Sequence, residues 1–117
     1  MLKSILIFIT LDLFFFKFSG DHFNKQVKVI QGSDISLRYV PAILAYLFMG
    51  IGFKKFIIDN NQSSEMAFLL GLIIYGIYES TNMAIFDKWT IKSFIIDTLW
   101  GGILFYLTSK LHKKILK

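Results

Sequence analysis

Cysteine is absent from this chain of 117 residues. That excludes disulfide scaffolds, thiolate metal sites and cysteine nucleophiles, and leaves the redox compartment unreadable. Charge is scarce, at 18% Asp, Glu, Lys and Arg. A soluble domain of this size needs more polar side chains than that to cover its surface. Disorder is excluded as well, since it requires low hydrophobicity and high charge, and here 55% of residues are hydrophobic and 17% aromatic. Proline occurs once, at Pro41, in the first turn of an apolar run, where its missing N–H does little harm. There are two histidines, His22 and His112, isolated in polar flanks with no metal-ligand spacing. No glycine-rich phosphate loop, nucleotide fingerprint or nucleophile motif is present, so neither metal nor any other cofactor is implied. Thirteen Lys and Arg against eight Asp and Glu give net +5. So apolar a composition nonetheless argues against a soluble nucleic-acid binder. The length suits one domain and is too short for two.

What is present is four long apolar runs, at about Leu2 to Phe18, Tyr39 to Ile58, Ser64 to Phe86 and Thr90 to Leu111. A helix needs roughly 20 residues to cross the ~30 Å hydrocarbon layer. Runs three and four meet that length, and run two meets it if Lys54 and Lys55 snorkel at the boundary. The expected fold is all-α: a polytopic four-helix transmembrane bundle forming one domain over 1–117, with spans at 2–19, 38–58, 64–86 and 90–111. Run one is the shortest and carries Asp12 and Lys17. Its start also resembles a signal peptide, with Phe18-Ser19-Gly20 as the cleavage region. Asp12 in mid-run and bulky Phe18 speak against that, and a retained span is the favoured reading.

The connector from Gly20 to Leu37 opens and closes on turn-like glycines, Gly20 and Gly32. Phe23, Val27 and Ile30 recur inside it at helical spacing, with Lys25 and Lys28 between. That is the pattern of a short interfacial helix between spans one and two, or of an ordinary polar loop. Ser63 or Ser64 is placed to cap the third helix, and Trp89 marks a tight interfacial turn. Four spans put both termini on one side. Cations divide almost evenly between the sides. The C-terminal cluster Lys110 to Lys117 favours cytoplasmic termini. That cluster reads as a solvated positive-inside flank, with anionic lipid heads as the alternative partner.

Asp12, Glu79 and Asp97 fall inside three of the four runs. An acidic residue at the centre of a span costs roughly 2.5–3.5 kcal/mol on insertion scales. These side chains are expected to face inward and to be hydrogen-bonded or protonated. Helical spacing puts Gly71, Tyr75, Glu79 and Asn82 on one face of the third run, with Tyr78 beside them. Asp97, Trp100, Gly101 and Leu104 share a face of the fourth. Gly101 and Gly102, with the small pairs Thr98/Gly102 and Ala67/Gly71, suit close helix packing. The expectation is a common polar centre holding at least two of the three carboxyls, in a small pocket lined by Tyr75, Asn82 and Trp100. The alternative is polar glue that only fixes helix register.

Three stretches then resemble a known family of small four-span membrane proteins, domain of unknown function 2177. They are Leu11-Asp12 with an aromatic residue at Phe15, Pro41-Ala42 followed by Tyr46-Leu47, and the block from Tyr75-Gly76-Ile77-Tyr78-Glu79-Ser80-Thr81-Asn82 through Trp89 to Asp97-Thr98-Leu99-Trp100-Gly101. The family usually has Trp at the place of Phe15, Asp at the place of Glu79 and Pro at the place of Thr90. The resemblance implies four spans with a retained first helix. It implies no activity.

Three function classes follow. The first is a proton or small-cation binding or permeation element using Asp12, Glu79 and Asp97, with Asn82, Tyr75, Tyr78 and Trp100 as relay or coordinating groups. Four short helices enclose little volume, so such a unit points to a homo-oligomer in the lipid bilayer. The second is a non-catalytic scaffold or assembly subunit. The third is a lipid-modifying enzyme or accessory factor, disfavoured because Glu79 and Asp97 each lie about 8–10 residues from the turn, roughly 12–15 Å in helix rise. The balance leans away from catalysis.

Overall fold

The computed structural model describes residues 1–115; Lys117, part of the basic cluster, lies outside the described residues. Four helices and no strand are found among them, as the apolar runs predict. They are α1 (Leu2–Gln31), α2 (Tyr39–Phe53), α3 (Ser64–Ile85) and α4 (Ile91–Ile115), with a wider π-helical turn at Lys54–Ile58 prolonging α2. The molecule measures 46 × 24 × 23 Å, a narrow rod set by its helix lengths.

Local chemistry explains the element ends. α1 stops at Gly32, whose φ of 79° is left-handed and whose N–H bonds back to the Lys28 carbonyl. Ser63 caps α3, its hydroxyl accepting the Met66 N–H at 3.2 Å, with Glu65 in the first turn. Thr90 opens α4, its hydroxyl accepting the Ser93 N–H at 3.1 Å. The π-helical turn closes with the Asp59 N–H on the Lys54 carbonyl, while Lys54 pairs with Asp59 at 3.0 Å.

One expectation needs adjustment. Phe23 to Ile30 is helical, but it is not a separate interfacial element. α1 runs through Gly20-Asp21 without a break. Gly20 is buried against the Phe16 ring and does not turn the chain. The chain turns instead at Gly32 to Arg38, where Asn24 pins the connector. Its side chain donates to Asp34 at 3.2 Å and accepts the Ile35 N–H at 2.8 Å.

α3 and α4 form the tightest pair; α1 packs on α4, and α2 on α1. Glycine makes the α3–α4 approach close. A Cβ on Gly71 would stand 2.1 Å from the Gly101 carbonyl oxygen, and one on Gly101 would stand 2.2 Å from Cγ of Tyr75. Near the end that holds the N-terminus, Phe8, Phe53 and Phe105 interlock with centroids 4.8–6.1 Å apart, and none of the three is exposed. Outward-facing side chains are large and apolar: Phe14, Phe18, Phe48 and Ile77 are each at least 63% exposed. A surface of that kind is suited to hydrocarbon. α2 with its π-helical turn, α3 and α4 are each long and apolar enough to cross a membrane. α1 is as long, but carries Lys3, Asp12 and Lys17 within its first turns.

Candidate functional site

Each of the three carboxyls in the apolar runs has its own set of neutral donors. Asp12, one turn beyond buried Phe8 on α1, takes two: the Tyr46 hydroxyl of α2 on Oδ2 at 2.5 Å, and the Trp100 indole N–H of α4 on Oδ1 at 2.7 Å. Phe15 lies flat on the Trp100 ring, centroids 4.4 Å apart and planes 4° from parallel. The stack fixes the indole so that its N–H aims at Asp12. One carboxyl therefore ties three helices together.

Asp97 of α4 accepts the Tyr78 hydroxyl of α3 at 2.7 Å. Tyr78 is 41% exposed and Asp97 half-buried, so this pair opens to the outside of a single chain. Tyr75 is buried, its ring 5.0 Å from that of Tyr78 and packed on Gly101. Glu79 is completely buried. It accepts the Trp89 indole N–H on Oε1 at 3.2 Å, and Asn82, one turn along, reaches Oε2 at 3.4 Å.

The residues read from sequence are thus distributed over three small constellations. Tyr75 packs on Tyr78, which bonds Asp97. Asp97 lies within electrostatic range of both Asp12 and Glu79. Among the described residues no hydrogen bond joins one of these carboxyls directly to another. Sequence reasoning missed Tyr46 and Trp89 as site residues. Tyr46 stands in one of the family-like stretches and Trp89 in the loop beside Glu79, so proximity to those motifs was the available signal.

It also missed a fourth constellation. Gln26 of α1 is buried beside the α3–α4 turn. Its amide donates to the Lys88 carbonyl at 2.7 Å, and its oxygen accepts from the Thr90 N–H, the Thr90 hydroxyl and the Ser93 hydroxyl at 2.8–3.0 Å. His22, one turn earlier, bonds the Ser93 hydroxyl at 2.9 Å. Burial holds the His22 imidazole below the usual histidine range, and Lys92 and Lys25 add to that. Four bonds from one amide at about 0.5–1.5 kcal/mol each set the scale of its contribution. Gln26→Ala should accordingly destabilise the turn by about 2–6 kcal/mol. The check is hydrogen exchange at the Thr90 and Ser93 amides, which should speed up while exchange at the Met66 amide stays unchanged.

Taken together, an apolar exterior, glycine-mediated helix contact and carboxyls held by phenol and indole groups define an α-helical membrane protein with a polar interior. Residues 1–112 match the family model described as a predicted membrane protein, DUF2177, and the chain belongs to that family. No curated protein and no solved structure matches it.

Proposed function

We propose that this protein is a four-span membrane element that binds and passes protons through its polar interior, with a small cation as the nearest variant of the same chemistry. The supporting observation is the absence of cationic partners. Among the described residues, ion pairs join Lys28 to Asp34 and Lys54 to Asp59, all on polar flanks. Among the described residues, Asp12, Glu79 and Asp97 have no Lys, Arg or His nitrogen in salt-bridge range. A carboxylate held by neutral donors alone keeps its full charge in a poor solvent for charge, and a proton or a bound cation relieves it.

The donors divide by chemistry. Indole N–H only donates, so Trp89 and Trp100 hold their carboxyls in place. A phenol both donates and accepts, so Tyr46 and Tyr78 suit proton relay, with Tyr75 between them. No group of three or more His, Asp or Glu side chains gathers as a metal site among the described residues, which favours the proton over a divalent ion.

In this reading α1 is the fourth span, its Asp12 shielded by Tyr46 and Trp100. Both termini then lie on one side, which we read as cytoplasmic from the cluster Lys110, Lys113 and Lys114. The half-open Tyr78–Asp97 pair is where a second copy would complete the enclosure.

The test is proton flux into liposomes holding a pH-sensitive dye. Asp97→Asn and Glu79→Gln should each lower the flux at least tenfold while the helical circular dichroism signal persists. Unchanged flux in both would remove Asp97 and Glu79 from the path. One observation favours a second reading, a register-fixing scaffold: the bonds at Asp12 and Asp97 join different helices. That reading predicts amide variants with undiminished activity in cells.

A further inference from the structure

The α3–α4 turn joins two helices that can each cross a membrane, so it sits at the membrane surface. Beside it α1 extends past its apolar part, and between them lies a groove of about 500 Å³. That volume is in the range of small-ligand sites, ~300–1,000 Å³. Lys25 and His22 line one wall, Lys88 and Trp89 the other, and Gln26 lies at its base. Asp87 is the one acidic lining residue.

Two features give this groove a chemical sign. Lys25, Lys88 and Lys92 have no carboxylate in salt-bridge range among the described residues, so their charge is unspent. The walls are also held firmly, because Gln26 bonds the turn at Lys88, Thr90 and Ser93. Lys25 and Lys88 outnumber Asp87 among the lining side chains, and Lys92 follows in the first turn of α4, so the recess is electropositive at headgroup depth. Trp89 gives it an aromatic side chain suited to the depth of the membrane interface.

We infer that the groove between the second half of α1 and the α3–α4 turn binds the phosphate of an anionic phospholipid headgroup, with Lys25 and Lys88 as its cations. Each basic side chain near an anionic surface contributes about tenfold at most to such binding. The site is distinct from the C-terminal lysines, and it stands whether or not the carboxyls conduct protons.

The test uses the full chain in neutral detergent. Lipid retention is measured by native mass spectrometry with added phosphatidylglycerol or phosphatidylcholine. The wild-type chain should retain phosphatidylglycerol over phosphatidylcholine. Lys25→Gln/Lys88→Gln should weaken that retention about tenfold. Lys113→Gln/Lys114→Gln removes the same net charge at the other end and should leave retention unchanged. All four lysines are exposed, so both double variants should keep the wild-type circular dichroism signal. Equal retention of the two lipids would overturn the inference. So would loss of retention in the Lys113/Lys114 variant with none in the Lys25/Lys88 variant. Glycerol phosphate displacing the lipid at equal concentration would overturn the lipid assignment, placing a soluble phosphate ester in the groove.

Discussion

Gly71→Val is expected to separate α3 from α4. A Cβ at position 71 would stand 2.1 Å from the Gly101 carbonyl oxygen and 2.8 Å from Cβ of Phe105, while side-chain carbons essentially never come within 3.0 Å of such neighbours. The nearest obstacle is backbone, so no rotamer change relieves it. The helices must part by about 1 Å, and a gap of that size forfeits a quarter to a half of the dispersion attraction at each affected contact. Dispersion and close approach hold helices together in a bilayer, where lipid is as apolar as leucine. Overpacking typically costs about 1–3 kcal/mol and here strikes the tightest helix pair, so a loss of about 3 kcal/mol is expected. Reversible unfolding in mixed micelles of rising dodecyl sulfate content measures it. Gly52→Ala is the control of opposite sign. A Cβ there meets nothing within 4 Å, and replacing a helical glycine by alanine gains about 0.5–1 kcal/mol. Equal stabilities for Gly71→Val and the wild-type chain would show that glycine contact does not set the α3–α4 approach.

Those glycines were readable in advance, because small residues four apart in an apolar helix have one principal use. The helices themselves were equally readable, since period and length are local properties. The length of α1 was not. Gly20-Asp21 is a turn signal by composition, yet Gly20 is buried against Phe16, and the helix passes through. The covering contact is itself local, since Phe16 lies one turn earlier on the same helix, and it outweighs the turn signal of the dipeptide. The carboxyls could be picked out because charge in a hydrocarbon run is conspicuous. Their partners could not, because aromatic residues are so frequent that no single one stands apart: 13 Phe, 5 Tyr and 2 Trp. Gln26 was hidden for a related reason. It sits in a stretch with polar neighbours on both sides, and only its packing against the α3–α4 turn makes it structural. Thr90 shows what a departure from a family pattern does physically. Where the resembled family pattern has proline, this chain has an N–H, and that N–H bonds to Gln26 at 3.0 Å.

Asp12→Leu should produce two effects of opposite direction. Removing the carboxylate leaves the Tyr46 hydroxyl and the Trp100 indole N–H without their acceptor in a poorly hydrated interior. At about 1–3 kcal/mol per stranded donor, the packing of α1 on α2 and α4 should weaken by about 2–6 kcal/mol. Leucine also suits hydrocarbon better than aspartate, by about 3–4 kcal/mol at mid-span. α1 should therefore stay more firmly in the bilayer while it docks less firmly on its neighbours. Because the chain has no cysteine, Asp21→Cys supplies a unique thiol at the exposed side of α1. Its labelling by a membrane-impermeant reagent should be unchanged in Asp12→Leu, while unfolding in dodecyl sulfate micelles should come earlier. Asp12→Asn keeps the hydrogen bonds without the charge. Its oxygen accepts from Trp100, and its amide donates to the Tyr46 hydroxyl, which can turn to accept. Stability within about 1 kcal/mol of the wild-type chain is expected for this variant. If Asp12→Leu proves as stable as Asp12→Asn, the three-helix junction at Asp12 does not hold α1 in place. If Asp12→Asn folds but loses proton flux, the charge itself is what the protein uses. If it folds and conducts as before, Asp12 serves register alone, and the path is left to Glu79 and Asp97.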